Sequence, residues 1–190
     1  AMQFTRSEIK TFMIIFNSID TDGSGCIEVA ELLHFLGIEA SIFAERIFAA
    51  FDKDGTGKID FFEFVVSLWK FCALGEDSLV VFAFSLYDTD SDGALTDMEV
   101  KIMFHDLYWY GSKAVENEAS RNMLQALLGA SDGVITLEEF RPFCLSNKVL
   151  LMPLFSVQEK LRNAAMGKTF WEDMAARRVQ LTASRAVPLA

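Results

Sequence analysis

A twelve-residue pattern written four times along 190 residues constrains this chain more than any other feature. Asp20–Glu31 reads DTDGSGCIEVAE, and it returns as DKDGTGKIDFFE over Asp52–Glu63 and as DTDSDGALTDME over Asp88–Glu99. A fourth copy, LGASDGVITLEE over Leu128–Glu139, keeps Gly133, Ile135 and Glu139 but has lost the opening acids. Self-similarity at this period marks a chain built from repeated supersecondary units. The spacing leaves room for one helix leaving each copy and one entering the next. Ile9, Phe12, Met13, Phe16 and Ile19 form an apolar stripe at helical spacing before the first copy, and Thr5-x-x-Glu8 offers a capping box at its start. Ile47, Phe48 and Phe51 lead into the second copy, and Val81, Phe82, Phe84, Leu86 and Tyr87 into the third. Exiting helices are expected from Val29, Phe61, Asp97 and Leu137, with stops at Gly37, Gly75 and Gly111. The fold class is all-α.

Each of the first three copies crowds at least four carboxylates into twelve residues. That arrangement is costly unless a cation offsets the repulsion. The pattern resembles the calcium loop of EF-hand proteins, where positions 1, 3, 5, 7, 9 and 12 supply the oxygens a hard cation needs and position 6 is a glycine at a sharp turn. The ligands expected in the first loop are Asp20, Asp22, Ser24, the Cys26 carbonyl, Glu28 and Glu31. In the second they are Asp52, Asp54, Thr56, the Lys58 carbonyl, Asp60 and Glu63. In the third they are Asp88, Asp90, Asp92, the Ala94 carbonyl, Thr96 and Glu99. Three Ca²⁺ sites are expected, with Mg²⁺ as an alternative occupant.

The fourth loop lacks side-chain oxygens at positions 1 and 3, Leu128 and Ala130. Asp132, Thr136 and Glu139 alone do not fill a calcium shell, so this loop is expected to serve as a structural partner; a site with unusual ligands is the alternative. Position 8 is where paired loops bridge, so Ile27 is expected to pair with Ile59, and Leu95 with Ile135.

Four helix-loop-helix units with unequal spacing resemble the calcineurin B and neuronal calcium sensor group of EF-hand proteins. The resemblance covers about residues 5–145 and implies two paired lobes, 5–74 and 77–146, each able to present an apolar groove when calcium binds. The departure at Leu128 and Ala130 sets the fourth loop apart from the calcineurin B pattern. Residues 147–190 form a helical tail beyond the repeats. Pro153 suits a first helical position, and Gly167 ends that segment. Thr169-x-x-Glu172 suggests a second capping box, opening a helix with Phe170, Trp171 and Met174 on one side, and the chain is expected to fray from Val179. One reading of this tail is plain scaffold; the other is self-docking into the chain's own groove.

The net charge of −10 argues against nucleic acid as a partner. Three cysteines without CxxC spacing, Cys26, Cys72 and Cys144, point to a reducing compartment, the cytoplasm. Cys72 and Cys144 fall on apolar helix faces. His34 and His105 have no serine or cysteine constellation around them, and no enzyme site is visible. The longest apolar stretch, Phe61–Leu74, is interrupted by Glu63, Ser67 and Lys70, so no membrane span is expected. The start does not read as a signal peptide, and no glycine follows Met2. Eighteen Phe and eight Met favour a calcium sensor or regulatory subunit that offers an apolar groove to a target helix. A soluble buffer of the sarcoplasmic calcium-binding type is the alternative.

Overall fold

The computed structural model describes residues 4–108, 118–129 and 133–185. Its ten α-helices are α1 (Arg6–Ile19), α2 (Val29–Leu36), α3 (Ile42–Phe51), α4 (Phe61–Cys72), α5 (Glu76–Tyr87), α6 (Asp97–Tyr108), α7 (Glu118–Gly129), α8 (Leu137–Ser146), α9 (Met152–Ala164) and α10 (Lys168–Arg185). Two three-residue strands, β1 (Ala94–Thr96) and β2 (Val134–Thr136), and a 3-10 turn at Lys148–Leu151 complete the elements among the described residues. The chain is all-α, and all four exiting helices begin where the repeat pattern sets them. Thr5 caps α1 reciprocally: its Oγ1 accepts from the Glu8 N–H, and Glu8 Oε2 accepts from the Thr5 N–H.

By contact the chain forms two compact units that interleave along the sequence. The first takes residues from 1–40, 48–75 and 157–190; the second takes 41–47 and 76–156. Each EF-hand pair thus draws in segments that lie outside its own run of sequence, and α3 and α9 are each shared between units.

In the first unit, Phe12, Phe16 and Ile19 of α1 are buried with Phe64, Leu68 and Phe71 of α4. Edge-to-face contacts join Phe16 to Phe64 at 5.6 Å and Phe51 to Phe71 at 5.8 Å, the geometry aromatic quadrupoles prefer. The tail belongs to this core from Val157 onward. Trp171 is fully buried, its ring centroid is 6.1 Å from that of Phe12, and its indole N–H donates to the Ala165 carbonyl at 2.5 Å. Side chains of α9 also close the ends of the exiting helices. Gln158 donates to the carbonyls of Phe71 and Leu74, Arg162 to those of Cys72 and Leu74, and Lys160 to those of Leu36 and Gly37. The Leu36 carbonyl at the end of α2 and those of Phe71 and Cys72 at the end of α4, which lack a partner inside their own helices, are satisfied this way.

Several local expectations change. Thr169 is the second residue of α10, not its cap, because the helix already starts at Lys168; Glu172 lies 3.9 Å from Lys168 instead. Pro153 is the second residue of α9, and α10 runs on through Arg185 past Val179. Helix α4 stops at Cys72 with Ala73 as its cap, ahead of Gly75. Gly111, Ala130, Asp132 and residues 186–190 lie outside the described residues.

In the second unit, β1 pairs antiparallel with β2, placing Leu95 opposite Ile135. Phe84 and Phe140 meet edge to face at 5.6 Å, with Leu79, Val100 and Met103 also buried. Asp106 of α6, whose side chain is only 2% exposed, pairs with Arg46 at 2.7 Å, and the Arg46 guanidinium lies 4.9 Å from the centroid of the Tyr87 ring. A buried carboxylate requires such a partner. The thiols of Cys72 and Cys144 are buried; burial pushes the Cys144 thiol up to about 12, and raises that of Cys72 further. Among the described residues no helix is long and apolar enough to cross a membrane.

Candidate metal centres

The first three loops adopt one hydrogen-bond scheme. In the first, the N–H of Ser24 points at Asp20 Oδ1 (3.0 Å) and Asp22 Oδ1 (2.9 Å), and the N–H of Gly25 donates to Asp20 Oδ2 (2.9 Å). In the second, Thr56 N–H meets Asp52 Oδ1 and Asp54 Oδ1, both at 3.1 Å, and Gly57 N–H meets Asp52 Oδ2 at 2.7 Å. The third repeats it with Asp92, Asp88, Asp90 and Gly93 at 3.1–3.3 Å. The loop wraps inward on its first acid, turning at position 6 with φ of 83° at Gly25, 80° at Gly57 and 87° at Gly93. Side chains with a Cβ rarely adopt that conformation, which is why the repeat holds glycine there.

The closing glutamate bridges both ends of each loop. Glu31 accepts from the N–H of Thr21 and of Glu28, Glu63 from Lys53 and Asp60, and Glu99 from Thr89 and Thr96, at 2.7–3.1 Å. The contacts from positions 9 also cap the exiting helices. Burial works against the Glu99 carboxylate, but bonds from Thr96 and Thr89 outweigh it and hold the group at about 2. Glu31 is lowered chiefly by the Glu28 N–H, Asp22 by the Ser24 N–H, and Asp54 by the Thr56 hydroxyl. All four groups therefore favour the anionic form that a cation requires.

This scheme draws the acids together. Carboxylate oxygens of Asp20, Asp22 and Glu31 lie within 4.8 Å of one another, as do those of Asp52, Asp54 and Glu63, and those of Asp88, Asp90 and Asp92. Clustered hard oxygens around a tight turn fit Ca²⁺ chemistry. The remaining expected ligands stand at the edges. Ser24 Oγ donates to the Cys26 carbonyl and Thr56 Oγ1 to that of Lys58, bringing positions 5 and 7 together. Glu28 pairs with Lys58 Nζ at 2.9 Å, Asp60 caps α4 by accepting from the Glu63 N–H, and Thr96 Oγ1 bonds to Glu99. Ala94 opens β1, opposite Thr136.

The fourth loop retains one end of the scheme: Glu139 accepts from the Thr136 N–H at 2.9 Å. At the other end α7 runs through Leu128 to Gly129, whereas Asp20, Asp52 and Asp88 each follow the last residue of their helix. Loops are joined in pairs as position 8 demands, through Ile27 with Ile59 and Leu95 with Ile135.

Comparison with known proteins agrees with this geometry. The EF-hand domain pair matches residues 9–66. The calcineurin B subunit of Candida glabrata is 33% identical over 141 residues, covering 73% of this chain and 80% of the relative. The type 2 calcineurin B subunit of Rattus norvegicus is 33% identical over 147 residues, with the same coverages, and that of Homo sapiens is 32% identical over 146 residues, covering 72% and 82%. Among solved structures, a chain of a PP2A PR70 holoenzyme shares the fold at a TM-score of 0.54 and 21% identity, over 78% of this chain and 57% of that one. The loop chemistry and the extent of these matches lead to one assignment: the chain belongs to the calcineurin B family of EF-hand calcium-binding proteins.

Proposed function

We propose that this chain is a calcium-responsive regulatory subunit that acts in the cytoplasm on a target protein. The observation that carries this reading is the threefold acid constellation. One ion per loop would be held by Asp20, Asp22, Ser24, the Cys26 carbonyl, Glu28 and Glu31; by Asp52, Asp54, Thr56, the Lys58 carbonyl, Asp60 and Glu63; and by Asp88, Asp90, Asp92, the Ala94 carbonyl, Thr96 and Glu99. Bound Ca²⁺, or Mg²⁺ in its place, supplies the positive charge that offsets repulsion among these acids. The fourth loop supports the third through β1 and β2.

Sensor-type EF-hand pairs present an apolar groove for an amphipathic helix. The relatives in Candida glabrata and Rattus norvegicus are named as subunits, which supports a partner-bound role. The tail fits self-docking: α9 reaches the ends of the exiting helices α2 and α4, and Trp171 of α10 is the apolar anchor against Phe12 of the entering helix α1. A tethered segment acts at an effective concentration of about millimolar, so weak docking suffices to compete with a target. The complete burial of Trp171 also suits a buffer, whose apolar faces stay internally covered.

A pull-down with an amphipathic helical peptide separates the two. The regulatory reading expects capture only with calcium, increased in the Phe170→Ala, Trp171→Ala double variant. Failure to bind in both proteins, with or without calcium, would favour the buffer.

A further inference from the structure

The first two loops meet through charge as well as through their backbones. Ile27 and Ile59 form an antiparallel bridge, and continuing that register by one residue sets Glu28 opposite Lys58. Lys58 Nζ lies 2.9 Å from Glu28 Oε1, with both side chains about half exposed. Opposed charges at directly facing positions attract across such a ladder. Lys58 is position 7 of the second loop, where the backbone carbonyl is the ligand, so its side chain has no part in its own loop's ligand set. Glu28 is position 9 of the first loop, an expected ligand there. The bond and charge of Glu28 push the Lys58 ammonium above the ordinary lysine value, and the charge of Asp22, position 3 of that same first loop, adds to it. A cation carried by the second loop therefore stands among the ligands of the first. The other loops hold position 9 differently: Asp60 accepts from the Glu63 N–H at 2.7 Å, and neutral Thr96 bonds to Glu99 at 2.9 Å. Position 7 of the first and third loops is Cys26 and Ala94, neither of which carries a positive charge.

We propose that Lys58 is a tethered cation that competes with calcium for the first loop through Glu28, and so sets the calcium level at which that loop fills. The inference rests on the first loop holding an ion and names the residue that tunes it. Ammonium and divalent cation are like charges drawn to one carboxylate. Entry of the ion either takes Glu28 from Lys58 or leaves two cations facing each other, and a neutral side chain at position 58 would impose neither cost. Half exposure keeps the effect modest, about fivefold in affinity, the upper end for an exposed ion pair.

The test titrates the intact ¹⁵N-labelled chain with Ca²⁺ and follows two amides by NMR. Gly25 N–H donates to Asp20 in the first loop, and Gly57 N–H donates to Asp52 in the second, so each reports its own site. Lys58→Met and Lys58→Arg both keep the backbone carbonyl; only the second keeps the charge. Each is made in the otherwise unchanged chain and in a Glu63→Gln chain, which removes the second loop's closing ligand. Lys58→Met should lower the calcium that half-fills the Gly25 site by about fivefold in both backgrounds, whereas Lys58→Arg should restore the weaker affinity. In a Glu28→Gln chain Lys58→Met should gain nothing further, and at about 1 M salt, where screening shortens to roughly 3 Å, its gain should fall below about twofold. Amide dispersion verifies folding, and the otherwise unchanged chain decides if Glu63→Gln does not fold. An unmoved Gly25 midpoint, a gain shared by Lys58→Arg, or a full gain persisting in Glu28→Gln would overturn the inference while leaving the first loop a calcium site. A change confined to Gly57 would assign the lysine to its own loop and overturn it too. A Gly25 amide that ignores calcium in every chain would instead sink the reading of the first loop.

Discussion

Ile27 and Ile59 exchange both of their backbone hydrogen bonds, at 2.8 Å from Ile27 N–H and 2.9 Å from Ile59 N–H. Both side chains are fully buried. Each is position 8 of its loop, so neither loop sets its geometry independently. Glu31→Gln should therefore weaken the second loop as well as the first, by at least about fivefold, the lower end of usual coupling energies. Calorimetry on the variant reads this directly. An unchanged second-loop affinity would show that the bridge transmits nothing.

The ribbon of the second unit permits the same test from its silent side. Gly133 has a φ of 110°, and Val134 beside it pairs with Thr96 of the third loop. No neighbouring atom crowds a Cβ there, so Gly133→Val acts through backbone strain, about 1–3 kcal/mol. The expected outcome is weaker calcium binding at the third loop with the first two unchanged. Wild-type affinity at the third loop would mean that β2 gives it no support.

Removing Trp171 probes the tail. Trp171→Ala deletes a fully buried ring and its bond to the Ala165 carbonyl, and should cost about 3–5 kcal/mol. Arg162→Ala, which frees the Cys72 carbonyl and leaves that of Leu74 to Gln158 alone, should cost about 1 kcal/mol per lost bond. Thermal melts of the calcium-loaded proteins check both. A Trp171→Ala protein melting with the wild type would contradict the packing of α10 on the first unit.

Acid stability follows from Glu99. Its carboxyl is held at about 2, below the ordinary 4.5, so the folded-state value is depressed. The stabilisation is complete above about 4.5 and is lost as the pH falls toward about 2. In chelator, the wild type should lose stability through that window more steeply than Glu99→Gln, as followed by circular dichroism. Identical acid transitions would contradict the hydrogen-bonded anion.

Much of this was legible in the sequence because its causes are local. Ligand oxygens, the position-6 glycines and the capping glutamates act within twelve residues, so the pattern fixes Asp20, Asp52 and Asp88 at helix ends and predicts the Leu95–Ile135 pairing. Two features left no such trace. Gln158 reaches the Phe71 carbonyl across 87 residues, and Arg46 meets Asp106 across 60. A polar side chain that captures a distant carbonyl or carboxylate has no periodicity to reveal it. Thr169 shows the opposite error, a local motif overridden because α10 begins one residue earlier.

Three loops are expected to hold calcium and the fourth none. Native mass spectrometry and calorimetry of the intact chain should give three Ca²⁺ per molecule, with dissociation constants of roughly 10⁻⁸ to 10⁻⁵ M. Glu31→Gln, Glu63→Gln and Glu99→Gln should each remove about one ion, because each deletes a charged ligand that closes its loop. A count of four would contradict the reading of Leu128–Glu139 as a silent partner, and a count of one would contradict the account as a whole.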